Sequence, residues 1–358
     1  LVSQAQAQAG QAGEAAQRLQ TWVSTHPRDA TAWQLLSSAQ AAQGQRLGAI
    51  RSGGGAGGGV GSGGTGVSTA DAATSVGGVD GMGSIIVGGL RYDIDNATIE
   101  PPGAELKIGV TVAVTGPVDA TFSSGVASKV VSVPQLRGPV SLVHTVGGSF
   151  DVHGTKVTVD EGTVWGDGLL GLADSLVNST VQVWGLPIGP GVLRATRIEI
   201  RSAGDAPLVG DWYAVPAQAG VQVQLEGVIT DYASQGAFKL LGQSIDASAA
   251  AVTGGQPDRL GNGVKVVASG TLNASGVLVS SKVKIRHIPG GGALPAFNLI
   301  GAVSDYDDAS PAVFRVRGQL VDASGVTFTG QLTNGVRVNV QGTQVVNGVL
   351  RLTQLSFE

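Results

Sequence analysis

The chain has 358 residues with 57 glycines, 42% apolar, 13% charged and 4% aromatic residues, a formal net charge of −4 and no cysteine. That balance argues against a general nucleic-acid binder, which carries a concentrated basic surface, and the missing cysteines exclude disulfides and thiolate zinc sites without identifying a compartment. No apolar run reaches the roughly 18–20 residues of a membrane-spanning helix, and abundant glycine and valine predict short strands joined by tight turns.

The chain starts at Leu1 with neither a methionine nor a secretory apolar segment, and is read as processed or truncated. Residues 1–52 are poor in glycine and rich in alanine, glutamine and leucine, all compatible with helix. Gly10, Ala15, Leu19, Trp22 and Pro27 are followed by Trp33, Leu36 and Gly44, and the two glycines lie 34 residues apart. That is the tetratricopeptide period. It predicts a short helical segment whose docking face carries Trp22, Trp33 and Leu36, with Pro27 ending a helix. About one and a half repeats are too few to bury a core alone, so the segment needs something to pack against. The stretch HPRDATAWQLLSSAQAAQGQRLGAIR resembles the C-terminal repeat tail of bacterial periplasmic metalloproteases of the outer-membrane-assembly quality-control type. Their zinc-helix signature H-E-x-x-H is absent, so no proteolytic activity carries over.

Residues 53–72 open with GGGAGGGVGSGGTG, in which Gly59, Gly61 and Gly64 satisfy G-x-G-x-x-G. A dinucleotide cradle needs a strand before the glycines and a helix after them, whose N-terminus meets the pyrophosphate. Here the expected helix comes first and a strand follows, and no Lys-Ser or Lys-Thr completes a phosphate loop. The run is read as a flexible linker with a root-mean-square span of about 20 Å.

Beyond it the apolar period falls to two. GVTVAVTG (109–116) returns as NSTVQVWG (178–185), GVKVVASG (263–270) and GVRVNVQG (335–342). The first place, Gly109, Asn178, Gly263 or Gly335, is predicted to be a left-handed turn residue opening a strand. The closing glycine is predicted to mark a bulge or sharp bend. Around each phrase recur a strand with a central glycine, an apolar strand ending at glycine, a short third strand and a last strand. Five strands in about 60–75 residues can close into a small barrel without exposed edges. Units are predicted at 73–133, 134–214, 215–288 and 298–358, and their uneven spacing suggests separate barrels on a string.

This region, from about Gly64 onward, resembles a family of tandem OB-like domains of unknown function in bacterial secreted proteins and lipoproteins. The resemblance implies a mainly β protein: four tandem small OB-like β-barrels preceded by the short α-helical tetratricopeptide-like segment and the Gly-rich linker. In that family a glycine-rich segment often follows a lipid-bearing cysteine, but no cysteine precedes Gly53 here, and GAIRS is not a lipobox. The junction near Arg51–Gly53 also reads as a joint between two unrelated envelope proteins.

Reactive chemistry is sparse. His144 and His153 flank an expected hairpin with Asp151, a set that suits exposed strand histidines better than a metal site. No G-x-S-x-G elbow accompanies the serines. Asp93-Ile94-Asp95-Asn96 and Asp305-Tyr306-Asp307-Asp308 offer oxygen ligands but lack EF-hand spacing, and aspartates also cap turns. No cofactor, metal or catalytic residue is expected. OB folds stack ligands on aromatic faces, which makes Trp184, Trp212, Tyr232 and Tyr306 candidate ligand or partner contacts. Packing between or within barrels is the competing role for these rings. The expected function is a non-enzymatic structural or adhesive protein of the bacterial envelope, periplasmic, outer-membrane-associated or extracellular, that binds protein partners or itself. The alternatives are a binding module for an envelope glycan and an accessory subunit of a periplasmic protease or assembly machine.

Overall fold

A computed structural model describes residues 70–173, 176–209, 218–288, 297–310 and 312–358. The expected helical segment, with Trp22, Trp33 and Leu36, and nearly all of the linker lie outside the described residues, as does Trp212. What is described is almost wholly strand and turn.

The first unit comprises β1 (Ala70–Met82), β2 (Ile85–Val87), β3 (Leu90–Asp93), β4 (Thr98–Glu100), β5 (Thr111–Val118), β6 (Ser124–Val126) and β7 (Lys129–Val131). β1 thus begins inside the range assigned to the linker. The second has β8 (Leu136–His144), β9 (Ser149–Val152), β10 (Thr155–Thr158), β11 (Val164–Trp165), β12 (Thr180–Gly189), β13 (Val192–Ile200) and β14 (Leu208–Val209). The third has β15 (Gln222–Val228), β16 (Thr230–Ser234), β17 (Ala237–Leu240), β18 (Gln243–Asp246), β19 (Ala251–Thr253), β20 (Lys265–Leu272) and β21 (Leu278–His287). The fourth has β22 (Phe297–Ser304), β23 (Val313–Val316), β24 (Gln319–Asp322), β25 (Arg337–Val346) and β26 (Val349–Phe357).

Hydrogen bonding closes a circuit in each unit. In the fourth, β22 pairs antiparallel with β23, β23 with β24, β24 runs parallel to β26, β26 is antiparallel to β25, and β25 returns to β22. The second unit repeats this order through β8, β9, β10, β13 and β12. In the third, β15 and β16 share the first-strand role, and in the first, β6 and β7 share the last. The short strands β4, β11 and β19, which the sequence pattern did not reveal, run parallel to the last strand of their units.

The four phrase-opening residues have φ of 82°, 69°, 88° and 91° at Gly109, Asn178, Gly263 and Gly335, so each strand opens from a left-handed turn as expected. The closing glycines sit where the neighbouring strand presses on the backbone. A Cβ added at Gly116, Gly185, Gly270 or Gly342 would lie 2.1, 2.5, 2.0 or 2.2 Å from the carbonyl oxygen of Val126, Arg194, Val279 or Arg351. The pairing register shifts at Gly185, Gly270 and Gly342, the signature of a bulge.

The second and third strands of every unit join through two residues of positive φ, Gly88-Gly89, His153-Gly154, Leu241-Gly242 and Arg317-Gly318. This is the tight hairpin turn whose twist matches that of the strands.

The units do not form a string of separate bodies. β1 runs parallel to β15, with Val76 opposite Leu225, and its end runs parallel to β22, with Met82 opposite Leu299. Val76 packs into the apolar core of the third unit, and Ile108 and Val164 join that of the fourth.

Candidate functional site

The aromatic candidates divide into two kinds. Trp184 points out of its own unit, as its place in the strand alternation requires. It then enters the core of the first unit beside Val112 and Val114 and is only 7% exposed. Trp165 is buried within its own unit. Neither ring is presented to solvent.

Tyr232 and Tyr306 occupy matching places and are half-buried. Each follows an aspartate of positive φ, Asp231 at 50° and Asp305 at 53°. Each backbone N–H donates to an asparagine side chain, Tyr232 to Asn262 and Tyr306 to Asn334, both at 2.9 Å. The rings lean on Phe238 and Phe314, with centroids 6.1 and 6.5 Å apart. Their repeated setting is a brace between the first strand and the turn before the fourth.

His153 and the acidic turns serve the backbone, and His144 and His287 lie beside carboxylates. His153 is not an outward strand residue. It sits in the tight hairpin turn at φ 49°, its ring covers Gly138, and its Nε2 lies 2.9 Å from the Arg137 carbonyl oxygen. Burial pushes its pKa down. His144 lies 3.6 Å from Asp151, and buried His287 lies 3.4 Å from Glu161. Asp93 accepts from the Asp95 N–H and Asp307 from the Ala309 N–H, so both acidic turns are capped locally. Among the described residues no group of three or more His, Cys, Asp or Glu is placed to hold a metal.

Two charged assemblies had no signal in the sequence pattern. The first is buried between the first and third units. Glu226 accepts from the Gly78 N–H at 2.8 Å and pairs with Lys265 at 2.7 Å, while Arg286 donates to Asp80 at 2.7 Å. The two acids and two bases balance. Burial, and the neighbouring Glu226, push the Asp80 carboxyl up to about 6 despite Arg286. Burial also pushes Glu226 up, but Lys265 and Arg286 more than offset it, and its carboxyl is held below the usual range.

The second is a solvent-accessible pocket of about 140 Å³ between the first and fourth units. Met82, Gly83, Ser84, Ile86 and Arg91 line one side, and Ile300, Arg317 and Arg337 the other. The parallel contact of β1 with β22 brings the two walls together. Arg317 is fixed by both units: its Nε donates to the Ile300 carbonyl at 3.0 Å and its terminal nitrogen to the Gly83 carbonyl at 3.3 Å. Arg337 pairs with Glu358 at 3.2 Å. Neither Arg91 nor Arg317 has a carboxylate partner among the described residues.

Residues 137–199 and 226–284 are each similar to a domain of unknown function (DUF5666), whose model they match. The matches fall on the second and third units and begin at equivalent places, the residue before Gly138 and the residue before Gly227. No curated protein matches the chain.

Proposed function

We propose that the protein is a non-enzymatic interaction protein of the bacterial envelope or extracellular space, associating through its second unit with a protein partner or a second copy of itself. The observation that carries this reading is where large apolar side chains remain exposed. Among the described residues, Leu142, Val146, Leu170, Val177 and Ile200 belong to the second unit, against Val126, Val279 and Val313 for the other three together. Val177 is stitched to the strand that bears Leu142, because the neighbouring Asn178 N–H donates to the Val140 carbonyl and the Val140 N–H to that of Ser179. Neighbouring exposed apolar side chains mark contact sites more often than scattered ones do, and Val177 and the strand bearing Leu142 are the neighbours that these hydrogen bonds bring together. The envelope setting rests on the resemblances drawn from the sequence.

The same reading takes each unit as OB-like. Its support is the circuit order first, second, third, fifth, fourth, with the third and fifth strands parallel. A glycan-binding role draws support from the recurrence of Tyr232 and Tyr306, and the burial of Trp184 weighs against it. The role of accessory subunit rests on residues 1–52 alone.

Light scattering after size exclusion, across a concentration series, tests the proposal. Mass that grows with concentration, and no longer grows in a Leu142→Ser, Val146→Asp variant, supports self-association through the second unit. A partner captured by the parent protein and lost by that variant supports the protein-partner form. A monomer at every concentration with no such partner sinks the reading.

A further inference from the structure

We propose that the arginine-lined pocket between the first and fourth units binds a tetrahedral oxyanion, the phosphate or sulfate group of a ligand. Arg91, Arg317 and Arg337 share one recess, in a protein whose net charge is negative. Like charges gathered in a cleft repel one another, and an anion between them relieves that repulsion.

Arg317 is already positioned. A guanidinium offers five N–H donors in a rigid fork, and the carbonyls of Ile300 and Gly83 hold it in one orientation. Its remaining donors are unspent by those two bonds, and ordering it costs a ligand little further entropy. Arg91 has no carboxylate among the described residues to exchange for a ligand. Arg337 has one in Glu358, which an entering anion would displace.

Size narrows the ligand. At about 140 Å³ the recess is far below the roughly 300–1,000 Å³ of sites that enclose a whole small molecule. It holds a head group, while the rest of the ligand stays outside. Met82, Ile86 and Ile300 supply an apolar wall beside the charges, and a hydrogen bond between a guanidinium and an anion is stronger than one between neutral groups.

The test is isothermal titration of the full chain with inorganic phosphate, inorganic sulfate and glucose 6-phosphate, at constant ionic strength. Saturable binding of one equivalent is expected, weakened about tenfold or more by Arg91→Gln and by Arg337→Gln, since a hydrogen bond to a charged group contributes about that factor. Glu358→Gln is expected to tighten binding by removing the competing carboxylate, a change that a merely structural Arg337 would not produce. Arg259→Gln, an exposed change outside the pocket, leaves binding unaltered. Tighter binding of the sugar ester than of the free ions points to an esterified group as the source, and equal or weaker binding to the free ion. No saturable heat from any of the three anions, or binding indifferent to both Arg91→Gln and Arg337→Gln, overturns the proposal.

Discussion

The Glu226 side chain lies over Gly77: a Cβ added to that glycine would sit 2.7 Å from the Glu226 Oε2 and 2.8 Å from its Cβ. In the other three units the matching glycine is covered by the unit's own hairpin turn. The ring of His153 covers Gly138, Leu241 covers Gly227, and Arg317 covers Gly301. The first unit has Gly88 at that turn position and no side chain to offer. The third unit fills the place instead, and in doing so brings in the carboxylate that anchors the buried charges.

Gly77→Ala should therefore break the junction of the first and third units rather than strain one strand. Glu226 cannot retreat without giving up the Gly78 N–H and the Lys265 contact. The expected cost is about 3 kcal/mol, the sum of overpacking and a disturbed buried ion pair. Urea denaturation would measure it. A loss no larger than the few tenths typical of surface changes would show that Glu226 moves aside freely.

The closing glycines make a sharper comparison. Gly270→Ala puts a methyl group 2.0 Å from the Val279 carbonyl oxygen, backbone that cannot rotate away. Gly276→Ala, at φ 73° in a turn with nothing within 4 Å, meets only the left-handed penalty. That penalty is about 1–2 kcal/mol, whereas the clash should add about 2 kcal/mol or more and open the β20–β21 bulge. Equal losses in the two variants, read from thermal or urea unfolding, would mean the bulge absorbs the methyl group.

These positions also mark how far the sequence could be read. Gly109, Asn178, Gly263 and Gly335 recur in register because each must adopt positive φ, and a conformational demand of that kind leaves a residue type behind. The closing glycines are legible for the same reason, since only the absence of a Cβ lets the last strand approach. The hairpin pairs such as His153-Gly154 were within reach too, because two residues ending in glycine between alternating strands are a turn signal. The association of units was not. Glu226 looks like any strand residue, and its role depends on a glycine 149 positions earlier in another unit, at Gly77. The arginine pocket draws its walls from β1–β3 and from β22–β25, and no spacing within one repeat encodes it.

Asp80 should leave a mark on the pH dependence of stability. An acid whose pKa is higher folded than unfolded holds its proton more tightly in the folded protein. Its contribution is therefore greatest below its ordinary 3.8, falls as pH rises to about 6, and stays low above that. Glu226 runs the other way, stabilising above its ordinary 4.5 and losing that contribution as pH falls through its depressed folded value. Between about pH 4.5 and 6 the Asp80 effect dominates the pair. Relative to Asp80→Asn, the parent protein should lose about 2–3 kcal/mol as pH rises from about 4 to 7. Urea midpoints of both proteins across that range provide the check, and parallel profiles would mean Asp80 titrates as an ordinary surface acid.

Trp184 separates a packing role from a ligand platform. A stacking platform for sugars or bases presents a ring face to solvent, so its loss removes binding and leaves stability alone. Trp184 instead leaves its own unit to fill the core around Val112 and Val114, and truncating a buried tryptophan costs about 3–5 kcal/mol. Trp184→Ala should lower stability by that order, and Trp184→Phe by less, because the phenyl ring keeps part of the contact. The indole N–H has no hydrogen-bond partner to lose in either variant. The deficit should also depend on the first unit: combined with Val112→Ala, a neighbour in the same core, the two losses should add to less than their sum. Strict additivity, or a Trp184→Ala protein as stable as the parent, would place the ring outside the first unit's core and return it to the list of ligand contacts.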